Sequence, residues 1–280
     1  MHRKLKLNGM TLGLLAVTVL MVGLGCFIFT NFSRFTQLQA ADGVEASGQD
    51  VTVEASSVEV KDSGAIPDDV KQKLIAGDTD GLKIVFLTFD DGPSDQTESL
   101  LNILDQYNVK ATFFPNLHNE DTDGTLFKKI VDHGHTLGNH TTSHDYALYN
   151  SPSSLMDSIQ TLHNYQTQAI GKEPSKMFRF PGGSLTANKA CINAVMAAGY
   201  NYVDWNVSSG DANPNGLTAQ QTAQNILDGV HSHNVSVVLC HAEKKQTTME
   251  ALPNVIETLK SEGYSFYRMD DSLSIYPQQM

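Results

Sequence analysis

The chain has 280 residues, enough for one large domain or two small ones, and its 40% hydrophobic and 18% charged content suits a globular protein with a sizeable core. Nineteen Lys and Arg against thirty-one Asp and Glu leave a formal net charge of -12, which speaks against a nucleic-acid partner, because phosphate backbones require a basic surface. Of the three cysteines, Cys26 lies in an apolar stretch, while Cys191 and Cys240 show no framework spacing and read as buried free thiols.

His2, Arg3, Lys4 and Lys6 make a basic start, and no further charge appears until Arg34. Residues 10–29 between them are nearly all apolar, and about twenty such residues span a bilayer. A cleaved signal peptide has a shorter apolar region, about 7–15 residues, with small residues close behind. Here the nearest small pair, Ala40-Ala41, lies well beyond the stretch, and Gly23 stands where a lipoprotein box ahead of Cys26 would carry Leu. An uncleaved anchor is therefore favoured over a secreted chain, with residues 1–32 as basic start and transmembrane helix. The preceding basic residues put the N-terminus in the cytoplasm and the remainder outside the cell membrane. Residues 33–80, rich in Ala, Ser, Gly, Asp, Glu and Val, read as a stalk. Within it, Ile66-Pro67-Asp68-Asp69-Val70 starts a short helix through Ile75.

Residues 81–280 form the remaining domain, where apolar strands and amphipathic helices alternate. Residues 83–89 are a β-branched and aromatic strand, and 98–107 a helix with Leu100, Leu101, Leu104 and Tyr107 on one face. A strand at 110–114, which Pro115 ends early, precedes a helix at 126–133, a short strand at 135–138 and a long helix at 154–170. Strands at 177–180, 202–205, 235–240 and 264–268 then alternate with helices at 188–198, 219–231 and 249–262. About seven strands separated by helices predict a parallel sheet with helical crossovers. The chemically loaded residues fall at C-terminal strand ends, the functional face of a β/α barrel and of an open doubly wound sheet alike.

The most loaded segments are Thr88-Phe89-Asp90-Asp91-Gly92-Pro93 and, about fifty residues on, His140-Thr141-Thr142-Ser143-His144. One carboxylate and two histidines can hold a divalent metal with open positions, leaving the second carboxylate as a base. That is equipment for metal-assisted hydrolysis. Taken singly each piece has a duller reading: Asp-Asp-Gly-Pro is a common turn, and two histidines four apart are often incidental.

Taken together the blocks resemble the polysaccharide deacetylases of carbohydrate esterase family four, over about two thirds of the chain. Thr88–Pro93, Gly138–His144, Arg179-Phe180-Pro181-Gly182-Gly183, Trp205–Asp211 and Leu239-Cys240-His241 follow the family's five blocks in order. The resemblance implies a distorted (β/α) barrel of about seven parallel strands, preceded here by the transmembrane helix and stalk. It implies Asp91, His140 and His144 as ligands of a divalent metal, zinc before cobalt, nickel or iron, and Asp90 as base with Arg179 as its partner. It further implies His241 as acid, with Asp211 preferred over Asp204 as the carboxylate behind it. Pro181, Gly182, Trp205 and Leu239 are expected around the substrate or oxyanion. Two departures stand out: Gly182 replaces the family's Tyr and removes an aromatic wall, and Ala212 replaces a second Trp. The implied substrate is an N-acetylated glycan, peptidoglycan N-acetylglucosamine before chitooligosaccharides or acetylxylan. A non-catalytic wall-binding protein is disfavoured, because base, ligands and acid are all present.

Overall fold

A computed structural model describes residues 64–243, 245–271 and 273. The chain divides into two units, Met1–Val58 and Glu59–Met280, and all described residues belong to the second. The expected membrane segment and most of the stalk lie outside the described residues. Among those described, no helix is long and apolar enough to cross a membrane.

The elements run α1 (Asp68–Ala76), β1 (Ile84–Asp90), α2 (Thr97–Gln106), β2 (Thr112–Phe114), α3 (Asp123–Asp132), β3 (Thr136–Leu137), α4 (Pro152–Ile170), β4 (Met177–Phe178) and α5 (Lys189–Ala197). After these come β5 (Asn201–Tyr202), β6 (Val207–Ser208), α6 (Ala219–His231), β7 (Val235–His241), α7 (Gln246–Ser261) and β8 (Ser265–Phe266). Local chemistry marks the helix ends. Thr218 and Gln221 form a reciprocal capping box at α6, and α4 begins on Pro152 and ends at a left-handed Gly171.

All pairings are parallel. The main sheet has the order β3-β2-β1-β7-β6, and β8 pairs with the start of β1. β4 and β5 form a separate pair, linked towards β3 by a bridge between Asn139 and Phe178. The strands thus follow one another as β6-β7-β1-β2-β3-β4-β5, and among the described residues no pairing joins β5 to β6. This parallel α/β arrangement is consistent with the expected distorted barrel.

Among the described residues eight strands are found where about seven were expected. The difference lies at 201–208, where two short strands, β5 (Asn201–Tyr202) and β6 (Val207–Ser208), stand instead of the one expected at 202–205. There the carbonyls of Val203 and Asp204 accept from Arg179, and the Asn206 side chain bonds to the β7 backbone at Val235 and Val237. Backbone groups taken up this way do not extend a ladder.

β1 is buried along its whole length, as a central parallel strand covered on both faces must be. Its side chains alternate. Val85, Leu87 and Phe89 enter the cluster packed under helices α2, α3, α6 and α7, while Ile84 and Phe86 join Phe114, Met177, Val203 and Val237 inside the arc of strands. Continuing that inner row puts Thr88 and then Asp90 on the inside. On β7 the same parity runs through Val237 and Leu239 to His241, which is the register partner of Asp90. Residues 64–80, expected in the linker, are tied to the base of this arc: Ile66 is buried there, and the Gly64 carbonyl accepts from the Arg268 N–H at 3.0 Å.

Candidate active site

Asp90 ends the inner row of β1 and is almost fully buried. Arg179, wholly buried just after β4, donates from Nη1 to Asp90 Oδ1 at 2.7 Å and to Thr88 Oγ1 at 2.7 Å. Its Nε and Nη2 donate to the carbonyls of Val203 (3.1 Å) and Asp204 (3.0 Å). Phe114 and Trp205 cover the guanidinium, with centroids 4.5 and 5.6 Å away. A buried cation so fully bonded is a rigid mount for one carboxylate. Burial pushes the Asp90 carboxyl above its ordinary value, and Arg179, with His241 and His144, pulls it part of the way back.

One residue on, the backbone turns. Asp91 lies in the left-handed region at φ 58°, followed by Gly92 at φ 70°. A Cβ on Gly92 would meet the Ala242 Cβ at 3.0 Å, so glycine lets this loop close onto the end of β7. Thr141 (φ 66°) and His144 (φ 53°) are left-handed as well, which concentrates sparsely populated backbone around one spot. One ligand atom from each of Asp91, His140 and His144 lies within 4.8 Å of the others. His140 Nδ1 donates to the Arg179 carbonyl at 2.7 Å, leaving Nε2 free to point inward. Burial pulls the His140 pKa down to about 3, so the ring is neutral, as a ligand must be. Asp91 Oδ1 is buried with no hydrogen-bond partner among the described residues and lies 3.9 Å from His140 Nε2. An unpaired carboxylate oxygen facing two imidazoles fits a cation.

His241, at the end of β7, presents Nδ1 to Asp211 Oδ1 at 2.7 Å. Asp211 Oδ2 accepts from the His241 N–H (2.9 Å) and from Thr248 Oγ1 on α7 (2.6 Å). Burial alone would lower the His241 pKa, but the Asp211 hydrogen bond and charge, with Asp90 and Asp91, outweigh it and raise it. Burial would raise Asp211, and its bonds from His241 and Thr248 hold it below its ordinary value. Asp204, the alternative partner, accepts instead from the Ser184 N–H and hydroxyl.

The loop after Arg179 completes the rim. The Pro181 carbonyl accepts from the Tyr149 and Thr186 hydroxyls, each at 2.9 Å. That fixes the Pro181–Gly182 peptide, whose Gly182 N–H has no acceptor among the described residues. Leu239 lies two residues before His241 on the inner face of β7, while Trp205 packs behind Arg179 and against the inner apolar cluster. The aromatic wall expected to be missing at Gly182 is filled from elsewhere, since Tyr146 stands over that glycine. Beside the site runs a groove of about 720 Å³ lined by Pro93, Ser94, Asp95, His118, Leu126 and Glu243 among others.

Supports that the sequence did not single out are Asn116, Tyr149, Thr186 and Thr248. Asn116 had one signal, a polar residue directly after a buried strand and Pro115. It donates from Nδ2 to the His140 (2.7 Å) and Thr141 (3.1 Å) carbonyls and from its N–H to the Gly92 carbonyl (3.0 Å). It therefore clamps together the loops that carry Asp91 and His140. Cys191 and Cys240 are free and buried.

Comparison with known proteins shows the family. Residues 77–203 match the family described as Polysaccharide deacetylase. The chain is 33% identical over 189 residues to a peptidoglycan-N-acetylglucosamine deacetylase of Bacillus cereus, covering 66% of this chain and 68% of that protein. It is similar in structure to the catalytic domain of a peptidoglycan N-acetylglucosamine deacetylase from Eubacterium rectale, with TM-score 0.66 and 38% identity over 71% of this chain and 94% of the other. A polysaccharide deacetylase from Bacillus cereus gives TM-score 0.62 at 33% identity, covering 67% of this chain and 92% of that one.

Proposed function

The chain belongs to the polysaccharide deacetylase family, carbohydrate esterase family four, and from that premise we propose that it hydrolyses the N-acetyl group of N-acetylglucosamine residues in a cell-envelope glycan, peptidoglycan foremost. The observation carrying this reading is that the Asp91, His140 and His144 cluster meets two separately braced groups, Asp90 on Arg179 and His241 on Asp211.

Asp91, His140 and His144 would hold a divalent cation, zinc being one of those their donor set suits, which when bound would polarise the acetyl carbonyl and lower the pKa of water. Asp90 takes the proton of the attacking water, its carboxylate kept in position by Arg179. As the water oxygen bonds to the acetyl carbon, the Gly182 N–H donates to the negative charge growing on the carbonyl oxygen. His241 gives its proton to the sugar nitrogen as the carbon–nitrogen bond breaks, and acetate and a free amine leave. Asp211 fixes the His241 tautomer with the proton on Nδ1, so that Nε2 faces the reaction. The groove beside the site takes the flanking sugars.

The same proposal puts the enzyme at the outer face of the membrane, anchored by residues 10–29. The basic residues ahead of that stretch support this orientation. Acetate release from peptidoglycan, N-acetylglucosamine oligomers and acetylxylan, measured with the zinc-loaded full chain, tests the chemistry. Release chiefly from peptidoglycan is expected. Release from acetylxylan alone would replace the reading with an O-acetyl esterase, and no release from any of them would refute it.

A further inference from the structure

We propose that Tyr146 is the wall of the site against which a sugar ring of the glycan stacks, an inference that rests on the deacetylase reading. Tyr146 opens the 3-10 turn Tyr146–Asn150, which Asp145 caps by accepting from the Ala147 N–H at 2.8 Å. Its ring stands edge-on to His144 with centroids 5.5 Å apart, and its inner side leans on Tyr149 at 6.2 Å. A Cβ on Gly182 would lie 2.6 Å from the Tyr146 Oη and 2.9 Å from a ring carbon, so the phenol occupies the space where a side chain at 182 would begin. Gly182 itself sits at φ 72°, a conformation that disfavours any such side chain. The aromatic group at this rim therefore comes from the loop after His144.

Though held on one side by aromatic neighbours and the glycine, Tyr146 is 53% exposed. It is one of four large apolar side chains exposed among the described residues, and a second, Leu185 at 70%, lies in the short turn just after Gly182 and Gly183. Exposed apolar groups gathered at the lip of a polar site mark a binding surface. A pyranose ring suits it, presenting a face of C–H groups to the aromatic plane while its hydroxyls stay wet. Tyr is also suited to the lip, with an apolar body and a polar tip. Stacking beside His144 would hold the sugar next to the residue whose acetyl group enters the site, so Tyr146 sets binding and not the chemical step.

The test measures binding and turnover of the N-acetylglucosamine tetrasaccharide by the zinc-loaded full chain. Tyr146→Ala is expected to raise KM about ten-fold, the size of one aromatic contact, with kcat within about two-fold of the parent. Tyr146→Phe should keep the parent KM, because the ring and not the hydroxyl does the work. Calorimetric titration of the tetrasaccharide into Asp90→Asn protein, with and without Tyr146→Ala, reads the same contact without turnover and should show the same loss of affinity. Unchanged affinity in Tyr146→Ala, or an equal loss in Tyr146→Phe, overturns the stacking role and leaves the deacetylase reading standing. Acetate release absent from the parent enzyme overturns that reading, and calorimetry still decides the role of Tyr146.

Discussion

Between Asp90 and Asp91 lies a single peptide, yet the two carboxylates occupy different environments. Asp90 follows the pleat inward to the Arg179 guanidinium, while Asp91 leaves it in a left-handed turn with one oxygen unpaired. Asp90→Asn is therefore expected to cut acetate release by about 10²-fold or more, the usual worth of a general base, with the metal still bound. Asp91→Asn should instead lose the metal, and metal analysis of the two purified variants checks both. The His241 pair sets a pH dependence. Its pKa is raised in the fold, so the protonated acid survives to higher pH than in a free imidazole. Asp211→Asn removes the partner responsible, and the alkaline limb of the kcat/KM profile should move to lower pH. Stability follows the same sign. The raised pKa contributes fully below the unfolded value of about 6.5 and is lost as pH rises through the folded value. The Tm deficit of Asp211→Asn should accordingly be larger in mild acid than at pH above the raised His241 pKa.

At the scale of elements, the site is a set of strand ends and the clamps between their loops. Asn116→Ala removes the two side-chain bonds to the His140 loop, leaving only backbone ties, and should weaken metal affinity about 10- to 100-fold, the effect typical of a group that orients ligands. Competition with a chelator would measure it. β1 and β7 were legible from sequence because each is a long, β-branched apolar run, and period-two alternation then sent Asp90 and His241 to one face. β3 to β6 have two residues each, too few for any period to declare itself, and there the expected single strand at 202–205 came apart. The pairing of Asp211 with His241 could be proposed from motif order. The contacts of Thr248 with Asp211 and of Tyr146 over Gly182 join segments far apart in the chain whose residues carry no pattern in common.

Across the whole domain, the inner apolar cluster is finished by the chain's last described residues. Met269 is buried at the base of the arc, its N–H donating to Thr112 Oγ1 at 2.9 Å and its carbonyl accepting from Thr136 Oγ1 at 2.5 Å. Met269→Ala should cost about 2–5 kcal/mol in urea unfolding, as other large-to-small core changes do, without altering the metal site. The register of β1 has a further consequence. The strand that pairs with it from Ile84 to Asp90, and that carries the partner of Asp90 across the sheet, is β7. A nascent chain that has reached the His140 loop already carries the ligand set, but neither the acid nor the neighbour that seats the base. Such non-local pairing forms late. On the proposed roles, a polypeptide cut short before His241 is therefore expected to release no acetate from acetylated sugars, which expression of such a truncated chain and an acetate assay would check.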